Sequence, residues 1–283
     1  MLQYLIGQYV RQFAQQQLMQ AAAKAVRQGD EDPAVPKVPA RCDVLILFAL
    51  NIEAAGVLDA VGDLEQTKNA TFVEHAGTWQ GKNIVVVETG MGRIAAARAA
   101  IDAIAIHKPS WVISAGYAGA LVDGLPRGYL LMADTVCDVQ GTELAVGFKI
   151  DRKALKQHKK LRVGRLVTID EVVRTEKAKR ALGDQCNALA CDMETAVIAE
   201  VCRHEKVRFL SVRVISDAVD DELPREIERL MQQKTLTRQL GAAAGAIFRR
   251  PSAIKDLWKL REDAIAFSDR LAKFLAGVVE QLP

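Results

Sequence analysis

Aromatic side chains make up only 5% of this chain. That is too few, and too scattered, for a platform that stacks single-stranded bases. Charge of one sign is equally scarce. Thirty-eight Lys and Arg set against 35 Asp and Glu leave a formal charge of +3, and its even spread argues against a nucleic-acid partner. No apolar run approaches the roughly 20 residues of a transmembrane helix. The four histidines, His75, His107, His158 and His204, lie far apart in the chain. The five cysteines, Cys42, Cys137, Cys186, Cys191 and Cys202, form no CxxC pair and share no ligand spacing with those histidines. Their odd count and apolar settings predict reduced core thiols in a cytoplasmic protein, with no metal site and no cofactor.

What remains is an ordinary globular composition in 283 residues, enough for a sizeable core. Residues 1–29 contain no proline and only two glycines, Gly7 and Gly29, and Leu2, Leu5, Ile6, Tyr9 and Phe13 predict an amphipathic helix. Gln8, Arg11 and Gln15 to Gln17 interrupt it, which argues against an export signal. The proline-rich, charged stretch 29–40 reads as a linker, so 1–40 is expected to be an N-terminal helix and linker. The main domain, 41–250, alternates strands and helices. Strands are predicted at 43–49, 71–78, 83–88, 111–115, 130–136 and 162–168, with a hairpin turn at Gln80-Gly81-Lys82. Helices are predicted from about Ile52, at 93–107 and near 175–183. The segment 116–120, Gly-Tyr-Ala-Gly-Ala, reads as a small-residue loop. Two more helices follow, at about 225–247 and 252–277, and Pro251 separates them. The extension 251–283 carries Trp258, Ile265, Leu271 and Leu275, a stripe predicted to pack on the core or across a subunit interface. The fold class is therefore α/β: a mixed central sheet flanked by helices, with extra N- and C-terminal helices.

The stretch 190–220 organises the rest. A short run ends at Asp192, a helix follows, and the β-branched run 208–216 reads as a strand covered on both faces. Glu194 falls at the start of the helix, and Asp217 just past the strand. Ligands in open α/β sheets bind outside the carboxyl ends of strands, so these two carboxylates mark the expected active site.

D-M-E at 192–194 and S-D at 216–217 resemble the purine nucleoside phosphorylase/nucleosidase superfamily. Four further stretches agree in order: ALNIEAAGVL (49–58), ETGMGRIAAARA (88–99), ISAGYAGAL (113–121) and GRLVTIDEVV (164–173). The pattern is most similar to the methylthioadenosine/S-adenosylhomocysteine nucleosidases and the hopanoid-associated phosphorylases. The resemblance implies a nucleoside phosphorylase-like fold and cleavage of an N-glycosidic bond to a purine. It makes Asp217 the general acid facing the base and Glu53 the base that activates water. Glu194 would accept hydrogen bonds from the ribose hydroxyls, with Met193 beneath the sugar. Gly90, Gly92 and Gly116 would let backbone approach the substrate, and backbone around Val172 would line the purine.

Chemistry supports the division of roles. A carboxylate suits two vicinal hydroxyl donors and a sugar that becomes cationic. A carboxylate at Glu53 serves as a base for water and repels a phosphate dianion. Arg93, which follows Gly92 at a helix start, keeps phosphate binding open. The favoured expectation is hydrolysis of a 5′-substituted adenosine, methylthioadenosine or S-adenosylhomocysteine, with release of adenine. The alternatives are a phosphorylase or adenosylhopane-cleaving enzyme, and a non-catalytic nucleoside-binding protein. The expected partners are the purine nucleoside and a second copy of the chain, as a homodimer. Peripheral membrane contact through Arg249, Arg250, Lys255 and Lys259 is a further option.

Overall fold

The computed structural model describes residues 41–147, 158–223 and 253–283, with side chains in the last segment from Glu262 onward. The helices expected at 1–29 and 225–247, the linker at 29–40, Arg249 and Arg250, and the side chains of Lys255, Trp258 and Lys259 lie outside the described residues.

The first strand, β1 (Val44–Phe48), is the unbroken apolar run VLILF, and every residue in it is buried. Such a run needs cover on both faces and partners on both edges. It has parallel neighbours in β4 (Lys82–Glu88) and β5 (Trp111–Ala120). β4 is the second arm of the expected hairpin, with β3 (Val73–Trp79) as the first. Its turn places Gln80 at φ 51° and Gly81 at φ 72°, the two positive angles that match the twist of paired strands. Beyond β3 lies β2 (Gly62–Lys68), an edge strand whose seven residues are all exposed.

The other half of the sheet contains β6 (Leu130–Asp138), β7 (Glu143–Ala145), β8 (Leu161–Thr168), β9 (Ala190–Asp192) and β10 (Arg208–Asp217). The order runs β10-β6-β8-β9-β5-β1-β4-β3-β2, with β7 on β6, and β10 also pairs with β5. Strands β5, β10, β6, β8 and β9 therefore close a circuit. The segment 116–120 is part of that circuit, and not a loop as its composition suggests. Tyr117, Ala118 and Gly119 pair with Val214, Ile215 and Asp217 of β10, and Gly119 pairs with Cys191 of β9. Pairing on both edges overrides the weak strand preference of glycine and alanine.

Five helices are described: α1 (Asn51–Leu58), α2 (Arg93–His107), α3 (Glu176–Cys186), α4 (Thr195–Glu205) and α5 (Ala253–Gln281). The C-terminal α5 packs against the sheet core through Leu271, Ala272, Leu275 and Val279, all buried. Ile265, expected on the same apolar stripe, is 47% exposed. α5 also grips α1. The Ser268 hydroxyl accepts from the Gly56 N–H at 2.8 Å and donates to the Glu53 carbonyl at 3.0 Å. A Cβ at Gly56 would meet the Ser268 carbonyl oxygen at 2.7 Å, so only glycine allows this approach. The helix that carries Glu53 is thus fixed by the far end of the chain. Among the described residues, no helix is long and apolar enough to cross a membrane.

Candidate active site

The carboxyl ends of β1, β4, β5 and β10 lie together, and a small cavity opens there. Glu53, Glu194 and Arg213 are its charged lining, with Thr89, Ser114 and Gly116 beside them. Each charged group arrives by a different route.

Glu53 sits in the first turn of α1 and reaches back to cap it. Its Oε2 accepts from the N–H groups of Ala49 (3.1 Å) and Leu50 (3.0 Å), one half of a capping box. Its Oε1 accepts from Tyr117 N–H at 2.9 Å, which ties the first βα loop to β5. Gly116 explains the closeness, since a Cβ there would meet Glu53 Oε1 at 2.9 Å. Burial raises the pKa of Glu53, against the Tyr117 N–H, the Arg213 charge and the two cap N–H groups, which lower it. The result is a carboxylate more basic than one in water, held rigidly at the cavity wall.

Glu194 is the N-cap of α4, and its Oε1 accepts from Gly92 N–H at 2.7 Å. Gly92 is in turn the N-cap of α2, at φ 85°, a backbone angle that glycine adopts without penalty. Gly90, at φ 79°, belongs to the same loop and accepts the Thr89 hydroxyl at 2.7 Å. Burial, and then the neighbouring Asp192 and Glu53 charges, raise the Glu194 pKa from 4.5 to about 8, while the Gly92 N–H and Arg213 oppose the rise. Between pH 4.5 and 8 the folded protein therefore binds a proton that the unfolded chain has released. By linkage, this group's contribution to stability falls as pH rises through that window. Glu194→Gln should lack the dependence. Paired denaturation curves at pH 5 and pH 8.5 are expected to show the wild type losing stability relative to the Gln variant at the higher pH.

The sequence reading passed over the frame behind Glu194. Arg213 is fully buried in β10, and its Nε and Nη2 donate to Asp192 Oδ2 at 3.1 and 2.8 Å. Nη2 also reaches Ser114 Oγ (2.7 Å) and Thr195 Oγ1 (2.5 Å). Asp192 further accepts from the Thr168 hydroxyl at 2.6 Å, from Thr195 N–H at 3.1 Å and from the Thr195 hydroxyl. Thr168 Oγ1 accepts from Ala196 N–H at 2.9 Å. The D-M-E turn is thus pinned on both sides by a buried ion pair whose polar atoms are used within the protein. A charged residue inside the apolar run LSVRVIS was the available signal for Arg213.

Asp217 ends β10, three residues along β5 from the Glu53 contact, by pairing with Gly119. Strand rise places these two points about 10 Å apart. A Cβ at Gly119 would meet Asp217 Oδ2 at 2.9 Å, so glycine again clears space for a carboxylate. Oδ1 accepts the Ser216 hydroxyl at 2.6 Å, and Oδ2 accepts the Lys179 ammonium at 2.5 Å. Lys179 is completely buried, and no sequence signal marked it.

The other expected site residues are less central. Met193 packs partly buried against the small cluster of Leu121, Cys137, Val167 and Ile169. Val172 lies partly exposed in the loop between β8 and α3. Neither lines the cavity bounded by Glu53 and Glu194. Arg93 turns to Asp170, with its Nε 3.0 Å from Oδ1. His75 and His107 pair with Glu88 and Glu74, and His204 with Glu205.

A family model described as "Phosphorylase superfamily" matches residues 43–249. The 5′-methylthioadenosine/S-adenosylhomocysteine nucleosidase of Actinobacillus succinogenes is 30% identical over 207 residues, 66% of this chain and 90% of the relative. The nucleosidase of the same name from Shewanella loihica is 28% identical over 206 residues, 65% of this chain and 89% of the relative. Among solved structures, the Helicobacter pylori nucleosidase of that name superposes with a TM-score of 0.67 at 21% identity, covering 86% of this chain and 99% of that one. Futalosine hydrolase of the same organism gives 0.64 at 22% identity, with the same coverage.

Proposed function

This chain belongs to the phosphorylase superfamily, and we propose that within it the protein is a hydrolase, a purine nucleoside N-ribohydrolase that releases adenine from a 5′-substituted adenosine. The relatives at 28–30% identity carry the name of 5′-methylthioadenosine/S-adenosylhomocysteine nucleosidase, which supports methylthioadenosine or S-adenosylhomocysteine as the substrate. One observation carries the choice of water over phosphate. The cavity wall presents two carboxylates, Glu53 and Glu194, and its guanidinium, Arg213, is already bonded to Asp192. A phosphate dianion entering there would find no uncommitted guanidinium on that wall, whereas water would meet Glu53 as a base. The alternative phosphate ligand, Arg93, forms an ion pair with Asp170, and its buried Nη2 has no hydrogen-bond partner among the described residues.

The reaction follows from where charge develops. As the C1′–N9 bond lengthens, the ribose becomes cationic and the purine anionic. Glu53 takes a proton from the attacking water, and Glu194 accepts the two ribose hydroxyls, which together with the cationic sugar favour its ionised form. Asp217 protonates the departing base. Met193 and the backbone about Val172 border the sugar and the purine, and Gly90, Gly92 and Gly116 let the substrate approach. This is the two-carboxylate logic of glycoside cleavage applied to a nucleoside.

The protein acts in the cytoplasm as a homodimer in this reading. The exposed Ile94 of α2, 71% accessible beside Arg93, is apolar surface that a second subunit would cover. The C-terminal helix commits its apolar face to the core, which disfavours a lipid-bound role. The test is direct: the purified protein incubated with 5′-methylthioadenosine should release adenine. Binding without release would return the protein to the non-catalytic reading.

A further inference from the structure

Lys179 is a lysine with no route to solvent, and its three protons have three acceptors. Nζ donates to Asp217 Oδ2 at 2.5 Å, to the Ala218 carbonyl at 2.8 Å and to the Asp221 carbonyl at 2.9 Å. The burial has a cause in the helix. Gly183, one turn further along α3, lies so close to β5 that a Cβ would meet the Leu121 carbonyl oxygen at 2.9 Å. That approach presses this face of α3 onto the sheet and drives Lys179 beneath the end of β10. The loop after β10 then folds around the ammonium. Ala218 N–H donates to Asp221 Oδ2 at 2.7 Å, and Arg127 Nε holds the same oxygen at 2.5 Å. An ion pair this deeply buried is a weak source of stability, because desolvation offsets the attraction. Its placement on one oxygen of the residue assigned to protonate the base is the informative fact.

We propose that Lys179 is a positioning residue for leaving-group protonation: its ammonium fixes Asp217 and stabilises the carboxylate left when the proton has moved to the purine. The inference rests on the reading of Asp217 as the acid. The proton leaves the Asp217 carboxyl group for the ring nitrogen as the C1′–N9 electron pair passes to the base. Lys179 keeps its own protons throughout, and the product state is a carboxylate–ammonium contact. Other groups face the pair. Ser216 donates to Asp217 Oδ1, Arg127 adds a second positive charge, Asp221 is already paired with Arg127, and Cys191 lies beside Asp217 from β9.

Lys179→Met removes the charge at similar length, and Lys179→Gln keeps two donors for the carbonyls without it. In either variant the acid is no longer held in place and the carboxylate left after proton transfer has no counter-charge, so kcat on the adenosine substrate should fall by roughly 10-fold or more, within the span general acid catalysis supplies. KM should change little, because Lys179 does not touch substrate. A 4-nitrophenyl riboside carrying the same 5′ group needs no protonation of its leaving group and should be cleaved at nearly the wild-type rate. If Lys179→Met does not fold, Lys179→Gln decides. A folded variant with wild-type kcat on the adenosine substrate, or one that loses both substrates equally, overturns the inference, as does failure of both variants to fold, which would make the lysine structural. Asp217→Asn separates the two levels. If it retains activity on the adenosine substrate, the reading of Asp217 itself is wrong. If it is inactive while the lysine variants behave as wild type, only the role of Lys179 is lost.

Discussion

Asp217→Asn is expected to lower the rate of adenine release by at least about 10²-fold while the protein remains folded and binds nucleoside. General acid catalysis contributes about 10²–10⁴-fold, and an amide has no acidic proton to give. The substitution is otherwise mild. Asn can still accept from the Lys179 ammonium, now 2.5 Å from Oδ2, through its carbonyl oxygen, and can place its amide beside the Ser216 hydroxyl, which can rotate to accept. The close approach of Gly119 is unaffected. Thermal unfolding should therefore shift much less than activity, and equilibrium binding of a non-hydrolysable nucleoside should persist. Near-wild-type turnover would remove Asp217 from the mechanism.

Glu53→Gln is expected to be of comparable severity, for a different reason. The two carboxylate oxygens accept three backbone N–H groups, from Ala49, Leu50 and Tyr117. An amide has one oxygen, so its NH₂ must face at least one of these donors. Gln thus loses the base and also strains the loop that positions it. The expected loss is about 10²–10⁴-fold in kcat, with some loss of stability as well. In the wild type, burial is what lifts the Glu53 pKa, so the carboxyl group must lose its proton before it can act, and activity should fall on the acid side. The Gln variant should show no such limb in its residual rate. Wild-type kcat in Glu53→Gln would eliminate water activation by this residue.

Much of this architecture is legible because the residues that build it have few alternatives. The run VLILF can only be a strand covered on both faces, and Gln-Gly between two alternating runs makes a hairpin turn. Glu194 and Asp217 stand out because one opens a helix and the other follows a strand, where ligand-facing groups collect, whereas Glu53 is marked only by the family resemblance. Failures occurred where tertiary pairing outweighed composition. Segment 116–120 looked like a loop because glycine and alanine favour strands weakly, yet β9 and β10 pair it on both edges. β2, GDLEQTK, is wholly exposed and charged, so it carries no alternation that would mark a strand. Arg213 stood out as a charge inside an apolar run, but its partners come from β5, β9 and α4, at separations of 18 to 99 residues. Lys179 left no trace at all. It sits in EKAKRALG, where a lysine is the expected solvent-facing residue, and only the contact of Gly183 with Leu121 turns it inward.

The claim that most needs testing is hydrolysis, because the cavity was assigned to water on the strength of its two carboxylates. Purified protein should be incubated with 5′-methylthioadenosine in phosphate-free buffer and again with millimolar inorganic phosphate, and the sugar product identified by mass spectrometry. Equal rates of adenine release and free 5-methylthioribose in both are predicted. Release that requires phosphate and yields 5-methylthioribose 1-phosphate would contradict the account.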